Sequence, residues 1–434
     1  MLAVMARDRL GMIGDAVDRY GDAVRLPVGH KSLHVFNHPD TARHVLADNS
    51  ANYRKGIGLV HARRALGDGL LTSEGELWRK QRKVIQPAFH PRRLAEHAGL
   101  IAAEADRLVD RLRRRCGGAP VDVVAEFTGL TLGVLGRTLL DTDLSAFENV
   151  GAEFAAVQDQ AMFELATLGA VPAWLPLRRQ LRFRRARREL QRVVDELVAQ
   201  RGDGFADRDD VLSRLIVSAA GESDPRVGRD RLRDELVTLL LAGHETTAST
   251  LGWTLHLIEQ RPDVRERLRE EANRVLGGRL PTYVDLHGLR YTTMVVQEAM
   301  RLYPPVWLLP RIAIDADVVG GYSVPAGADV VILPYTLHRH PEFWSRPDRF
   351  DPDRFDPARS RGRPRYAYIP FGAGPRVCVG SNLGLLEAVF VLAMMAREFR
   401  LATVPGHQVV PEPMLSLRIR GGLPMRVYAA ESSG

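Results

Sequence analysis

Two cysteines occur in the 434 residues, Cys116 and Cys378, far apart and in unlike surroundings. Cys378 closes the run Phe371-Gly372-Ala373-Gly374-Pro375-Arg376-Val377-Cys378-Val379-Gly380, which leads into a helical pattern. Two glycines and a proline make a tight, rigid turn. Backbone N–H groups, the following helix N-terminus and Arg376 would all favour a thiolate there. Gly380 lets a flat ligand approach the backbone closely. A lone cysteine is still more often a small buried hydrophobe. The glycines are not a nucleotide loop, because the third glycine and the βαβ context are missing.

Three further clusters carry polar chemistry. Ala242-Gly243-His244-Glu245-Thr246-Thr247 lies within a long apolar helical pattern, where an acid beside an alcohol is costly unless used or paired. Gly243 and the hydroxyls can loosen or bend the helix at this point. A zinc reading fails, since no second histidine follows His244 four residues on. Glu298 and Arg301 share a helix face at i,i+3, and Arg354 downstream can complete a buried Glu–Arg–Arg network. Trp78 and Arg82, at i,i+4, can jointly meet an anionic group.

The elements that must position these groups are mostly helical. A helical stretch is expected from about Glu74 to Arg113–Arg115, with more over Val121–Leu140, Phe147–Leu168 and Arg178–Arg201. The pattern from Arg229 to Gln260 is long enough to cross the core. Helices are also expected over Val264–Leu276, Tyr291–Leu302 and Leu383–Phe399. Strand-like runs are Ala23–Leu26 and Leu33–Phe36, joined by a turn at Val28-Gly29-His30, and later Ile312–Ile314, Tyr322–Val324 and Val330–Leu333. An irregular loop runs from His338 to Pro370, and short strands end the chain. The fold class is mainly α with small β-sheets, without boundaries dividing it into independent domains.

Bulk properties exclude several classes. A 45% hydrophobic and 26% charged composition is that of an ordinary globular protein, not a disordered or fibrous one. The cysteine usage fits a reducing cytoplasm rather than a disulfide framework. The net charge is +7, and of 60 basic residues only Lys31, Lys55, Lys80 and Lys83 are lysines. This arginine bias reads as genome composition. The basic residues are scattered and lack interleaved aromatics, so nucleic-acid binding is not expected. No run approaches the apolar length of a membrane span, and Met1–Arg9 lacks the apolar region of a signal peptide.

Taken in order, Trp78xxxArg82, Ala-Gly-His-Glu-Thr-Thr, Glu298xxArg301, Pro-Asp-Arg354-Phe and Phe371-Gly-x-Gly-x-Arg-x-Cys378-x-Gly resemble the cytochrome P-450 superfamily over nearly the whole chain. The resemblance implies that fold, an α-rich triangular prism with haem held between a long central helix and the cysteine loop. It implies one haem domain over 1–434, with β-containing parts at about 20–60 and 310–335 and a helical core at about 74–305 and 370–400. By resemblance Cys378 is the haem-iron ligand, whose thiolate pushes electron density towards O–O cleavage. Haem b would be held by Trp78, Arg82, Arg311 and Arg376 at its propionates, with Phe371 and Gly380 beside the cysteine. Glu298, Arg301 and Arg354 would form a structural triad. Thr246 would hydrogen-bond the dioxygen being activated and Glu245 would relay protons, while His244 is expected to be structural.

The implied activity is monooxygenation with O2 as cosubstrate: hydroxylation or epoxidation of an apolar secondary metabolite of terpenoid, polyketide or fatty-acyl type. Pocket walls would come from the loop around Gly56–Leu71 and from later segments, naming Leu59, Val60, Phe163, Ala242, Val306, Trp307, Leu308 and Met414. The start of the chain lacks a proline-rich lead and an anchor, which implies a soluble, cytoplasmic, monomeric bacterial member. With no flavin or iron–sulfur segment, NAD(P)H electrons would arrive through a ferredoxin or flavodoxin and its reductase, docked by Arg79, Lys80 and Lys83. Two rivals remain open at this stage: oxidative coupling or dehydrogenation by the same haem-thiolate chemistry, and a haem-thiolate binding or sensor protein.

Overall fold

The computed structural model describes residues 8–28, 31–144, 150–167, 171–172, 174–202 and 208–430. The turn expected at Gly29-His30 lies outside them, as do both ends expected for the Phe147–Leu168 helix. Twelve helices are used here: α1 Arg9–Tyr20, α2 Ile57–Leu66, α3 Gly75–Ile85, α4 Pro91–Arg113, α5 Val123–Leu139, α6 Val150–Ala166, α7 Arg178–Arg201, α8 Val211–Ala220, α9 Pro225–Glu259, α10 Pro262–Leu276, α11 Arg290–Leu302 and α12 Ser381–Glu398. The strands are β1 Ala23–Val28, β2 Lys31–Phe36, β3 Tyr53–Lys55, β4 Val121–Asp122, β5 Leu309–Ala313, β6 Asp317–Val319, β7 Tyr322–Val324, β8 Asp329–Ile332, β9 Phe399–Thr403, β10 Pro411–Pro413, β11 Leu417–Ile419 and β12 Pro424–Ala429.

Two helical expectations need correction. The stretch read as one helix from Glu74 is two, because Pro87 and Pro91 supply no backbone N–H to continue the first. A 3-10 turn over Gln86–Phe89 joins them, and Pro91 opens α4. The segment Gly56–Leu71, read as a loop, is largely the helix α2, stopped at Gly67 with φ +73°. Two other helices went unread, although each carries a capping aspartate. Asp8 accepts from Gly11 N ahead of α1, and Asp210 accepts from Ser213 N ahead of α8.

The central helix α9 runs 35 residues without a break, about 50 Å at the usual rise. Pro225 starts it, with the Asp224 side chain capping Arg226 N. The chain stays α-helical through Gly243. Thr246, Thr250 and Thr254 each donate to the carbonyl four residues back, at 2.7, 2.9 and 2.7 Å, within an intact ladder. Gly243 also serves packing: a Cβ there would press on the Leu135 side chain of α5. The core is built from α4, α5, α9, α11 and α12, with residues such as Ile101, Phe127, Leu251, Val295 and Phe390 almost fully buried. A five-stranded sheet of order β1-β2-β8-β5-β3 flanks it, antiparallel except for β2 with β8. A three-stranded sheet β4-β12-β9 and two hairpins complete the β content.

Candidate active site

The turn before α12 is closed by its own backbone, since Cys378 N donates to the Phe371 carbonyl at 2.9 Å. Gly372 and Gly374 take φ of +72° and +69°, and a side chain at Gly374 would collide with the Leu46 carbonyl. Glycine is therefore required here for space as well as conformation. The Cys378 side chain keeps accessible surface although protein surrounds it on most sides. Burial pushes its thiol up, while the Gly380 N–H and the Arg82 charge pull it down. An anionic sulfur there calls for a positive partner, which an iron centre would supply. A Cβ at Gly380 would meet the Phe89 ring at 3.4 Å, a neighbour with no signal in the sequence.

Cations gather beside this turn. The Trp78 ring lies 5.7 Å from the Arg82 guanidinium and 5.8 Å from that of Arg376. Arg82 also donates to the Val377 carbonyl at 2.9 Å, tying α3 to the cysteine turn. Arg376 donates to Tyr53 O at 3.0 Å and to Glu74 Oε2 at 2.7 Å. Arg311 is buried on β5, donates to the Pro310 carbonyl and forms no ion pair among the described residues. Burial brings its pKa down to about 10. Of these three guanidiniums only that of Arg376 hydrogen-bonds a carboxylate, Glu74, which leaves an excess of positive charge that fits a group carrying two carboxylates. The donor set thus fits haem: a sulfur below, and cations at one edge for the propionates.

On α9, Ala242 is exposed and Glu245 and Thr246 are half-buried, between turns that are buried. Thr246 Oγ1 donates to Ala242 O. Glu245 turns elsewhere, accepting from the Gln158 amide of α6. Gln158 in turn accepts from Arg418 at 3.4 Å, and Arg418 donates to Glu412 at 2.7 Å. Burial pushes the Glu245 carboxyl up, opposed by Ser416 and by the Arg418 charge. Gln158, Arg418 and Glu412 were not singled out from the sequence, and their distance along the chain left no signal. His244 is structural: its Nδ1 bonds Leu240 O at 2.6 Å, its ring lies against Phe154, and burial holds its pKa at about 4.

The Glu–Arg–Arg network is assembled. Arg301 grips Glu298 through two bonds of 2.6 and 2.8 Å, and Arg354 Nε stands 3.4 Å from the same carboxylate. Arg301 also donates to the carbonyls of His338, Pro347 and Arg349, fastening the long loop that precedes the cysteine turn. Arg363 over Trp344 joins this cluster and was not anticipated.

The residues expected to wall a pocket are divided. Val60 is 49% exposed on α2, and Leu59 and Phe163 are half-buried, with Arg179 over the Phe163 ring. Val306 and Leu308 are half-buried. Trp307 is buried with Leu10 and Leu417, and its indole N–H donates to Met414 O at 2.9 Å. It serves as packing that ties two of the expected wall segments together.

The comparisons with known proteins agree with this geometry. The family model for cytochrome P450 matches residues 7–423. Among relatives, the chain is 36% identical to cyclooctatin synthase of Streptomyces melanosporofaciens, over 95% of this chain and 90% of the relative. It is 35% identical to cyclooctat-9-en-7-ol 5-monooxygenase of the same organism, over 89% and 84%. It is 32% identical to pentalenene oxygenase of Streptomyces avermitilis, over 95% and 92%. With the thiolate turn, its cations and the acid–alcohol helix on one scaffold, this chain belongs to the cytochrome P450 family and is a haem-thiolate monooxygenase.

Proposed function

We propose that this monooxygenase oxidises a terpenoid, a polycyclic hydrocarbon or its alcohol, in secondary metabolism. The reading is supported by the relatives named for oxidising cyclooctat-9-en-7-ol and pentalenene, and by the apolar side chains Leu59, Phe163, Val306 and Leu308. When bound, the haem supplies oxygen activation: one oxygen atom enters the substrate, the other leaves as water, with two electrons and two protons consumed. Cys378 would hold the haem iron through its sulfur, and Arg82, Arg311 and Arg376 with Trp78 would hold the propionates. Thr246 presents a hydroxyl at the reacting face, and Glu245 holds a proton on the side of Gln158 and Arg418. The observation that carries this assignment is the meeting of Arg82 and Arg376 on Trp78 beside the Cys378 turn.

Electrons come from a separate acidic ferredoxin or flavodoxin, itself reduced from NAD(P)H. Arg79 and Lys83 on α3 are exposed and suit such a partner, whereas Lys80 is matched by Glu222 at 2.6 Å. A cleft of about 540 Å³ lined by Tyr366, Val377, Asn382 and Leu385 borders the cysteine turn and offers a docking recess.

The test is a panel of terpenoid hydrocarbons and alcohols scored for the low-to-high-spin shift of the haem, then turnover under labelled dioxygen. A shift followed by label in the product is expected. Label-free products would replace oxygenation by coupling or dehydrogenation. In the same preparation Cys378→Ser should lose the red-shifted reduced-CO band, and its retention would remove Cys378 as ligand.

A further inference from the structure

The segment between α2 and α3 is held by buried charges that the reaction does not use. Lys55, at the end of β3, is 6% exposed and Glu235 on α9 is 2% exposed. Burying such groups is costly unless they do something specific. They form no salt bridge with each other within 4 Å; instead both bind backbone. Lys55 Nζ donates to the carbonyls of Leu70 and Ser73 at 2.8 and 2.6 Å. Glu235 Oε2 accepts from Leu70 N at 3.0 Å. Both polar groups of Leu70 are thus taken, the carbonyl by Lys55 from β3 and the N–H by the Glu235 carboxyl from α9.

Neighbouring contacts extend the grip. Asp234 accepts from Asp68 N at 2.8 Å, and Gln81 of α3 donates to Asp68 O at 2.7 Å and accepts from Ser73 Oγ at 2.5 Å. Gly67 and Gly69 let the segment lie directly on α9: a Cβ at Gly69 would collide with Thr238 and the Asp234 carbonyl. The next residue after Ser73 is Glu74, which accepts from Lys55 N at 2.5 Å and from Arg376 at 2.7 Å. Glu74 leads into α3, the helix of Trp78 and Arg82. Lys55 therefore holds residues 70–74 from both its backbone and its ammonium.

We infer that Lys55 and Glu235 are positioning residues, clamping the Leu70 peptide between β3 and α9 so that Glu74, Trp78, Arg82 and Arg376 stand ready for the haem propionates. The inference rests on the haem site proposed above. The clamp links the central helix to the propionate edge, so loosening it should weaken haem retention without touching Cys378.

The experiment uses the holoenzyme of the parent and of Lys55→Met, Glu235→Leu, Glu235→Gln and Gly69→Ala. Backbone hydrogen exchange is followed over 67–74 and over α12, and haem release is followed by transfer to apomyoglobin. Lys55→Met, Glu235→Leu and Gly69→Ala should each speed exchange at 68–73 by about tenfold or more, leave α12 unchanged and hasten haem release. Glu235→Gln, which keeps an oxygen for Leu70 N, should remain within about twofold of the parent. The clamp is overturned if exchange at 68–73 stays at the parent rate, or if α12 loosens equally, which marks general destabilisation. It is also overturned if the segment loosens while haem release is unmoved. The parent's reduced-CO band is recorded first. Its absence counts against the haem site, while the exchange rates still decide whether Leu70 is clamped.

Discussion

Glu245 and Thr246 are adjacent on α9 yet engage different partners. The hydroxyl bonds back to Ala242 within the helix, and the carboxyl reaches across to Gln158 of α6. Adjacent helical positions point about 100° apart, so one can serve the reacting face while the other meets a polar chain running outward. Thr246→Val should leave substrate binding intact and lower product formation roughly a hundredfold, with reducing equivalents appearing as peroxide. Product and peroxide assayed together check this. A second prediction concerns Glu387 on α12, which is buried with Oε1 lacking any hydrogen-bond partner. Burial raises its pKa to about 8. Its folded pKa lies above its unfolded one, so its contribution is fully present below about 4.5 and is lost as pH rises through 8. Glu387→Gln should therefore stabilise the protein more at pH 8 than at pH 5, by about 2 °C or more in Tm at the higher pH. Equal shifts at both pH values would count against it.

At the scale of elements, α9, α11 and α12 meet through apolar contact, while ion pairs tie helices to the neighbouring loops. The Glu298–Arg301 pair is fully buried and fastens α11 to the carbonyls of the loop that delivers the cysteine turn. Breaking a buried pair leaves one charge uncompensated, so Glu298→Gln should cost about 3 kcal/mol or more. Denaturant unfolding and haem content check it, and both should fall together. The elements themselves were legible where a long period or a proline marked them: α7 and α9 lie close to where the residue pattern put them. The division between α3 and α4 was missed because their apolar period runs on across Pro87. The helix α2 was missed because its short pattern lies between glycines. Gly243 answers to Leu135 of a neighbouring helix, a contact the local sequence does not contain.

For the whole molecule, the basic excess becomes a specific face only where exposed side chains lack local acids. Arg79 and Lys83 meet that condition better than Lys80, which Glu222 already matches. Arg79→Glu with Lys83→Glu should slow reduction by an acidic ferredoxin by about tenfold at low ionic strength, with the difference shrinking at high salt. Stopped-flow reduction across a salt series checks this, and salt-independent rates would remove the docking site. No helix among the described residues is long and apolar enough to cross a membrane.

The sequence by itself determined the family, the Cys378 turn and the types of residue around it, because glycine, proline and cysteine at fixed spacing impose their chemistry through the local backbone. It also carried the acid–alcohol pair and the members of the Glu–Arg–Arg network. Only the tertiary structure decided the partners: Gln158 and Arg418 beside Glu245, Phe89 near Gly380, Arg363 over Trp344, and Lys55 with Glu235 around Leu70. These contacts join residues many positions apart, and burial, which makes them costly to leave unmet, is a property of the packed molecule that no stretch of chain possesses alone.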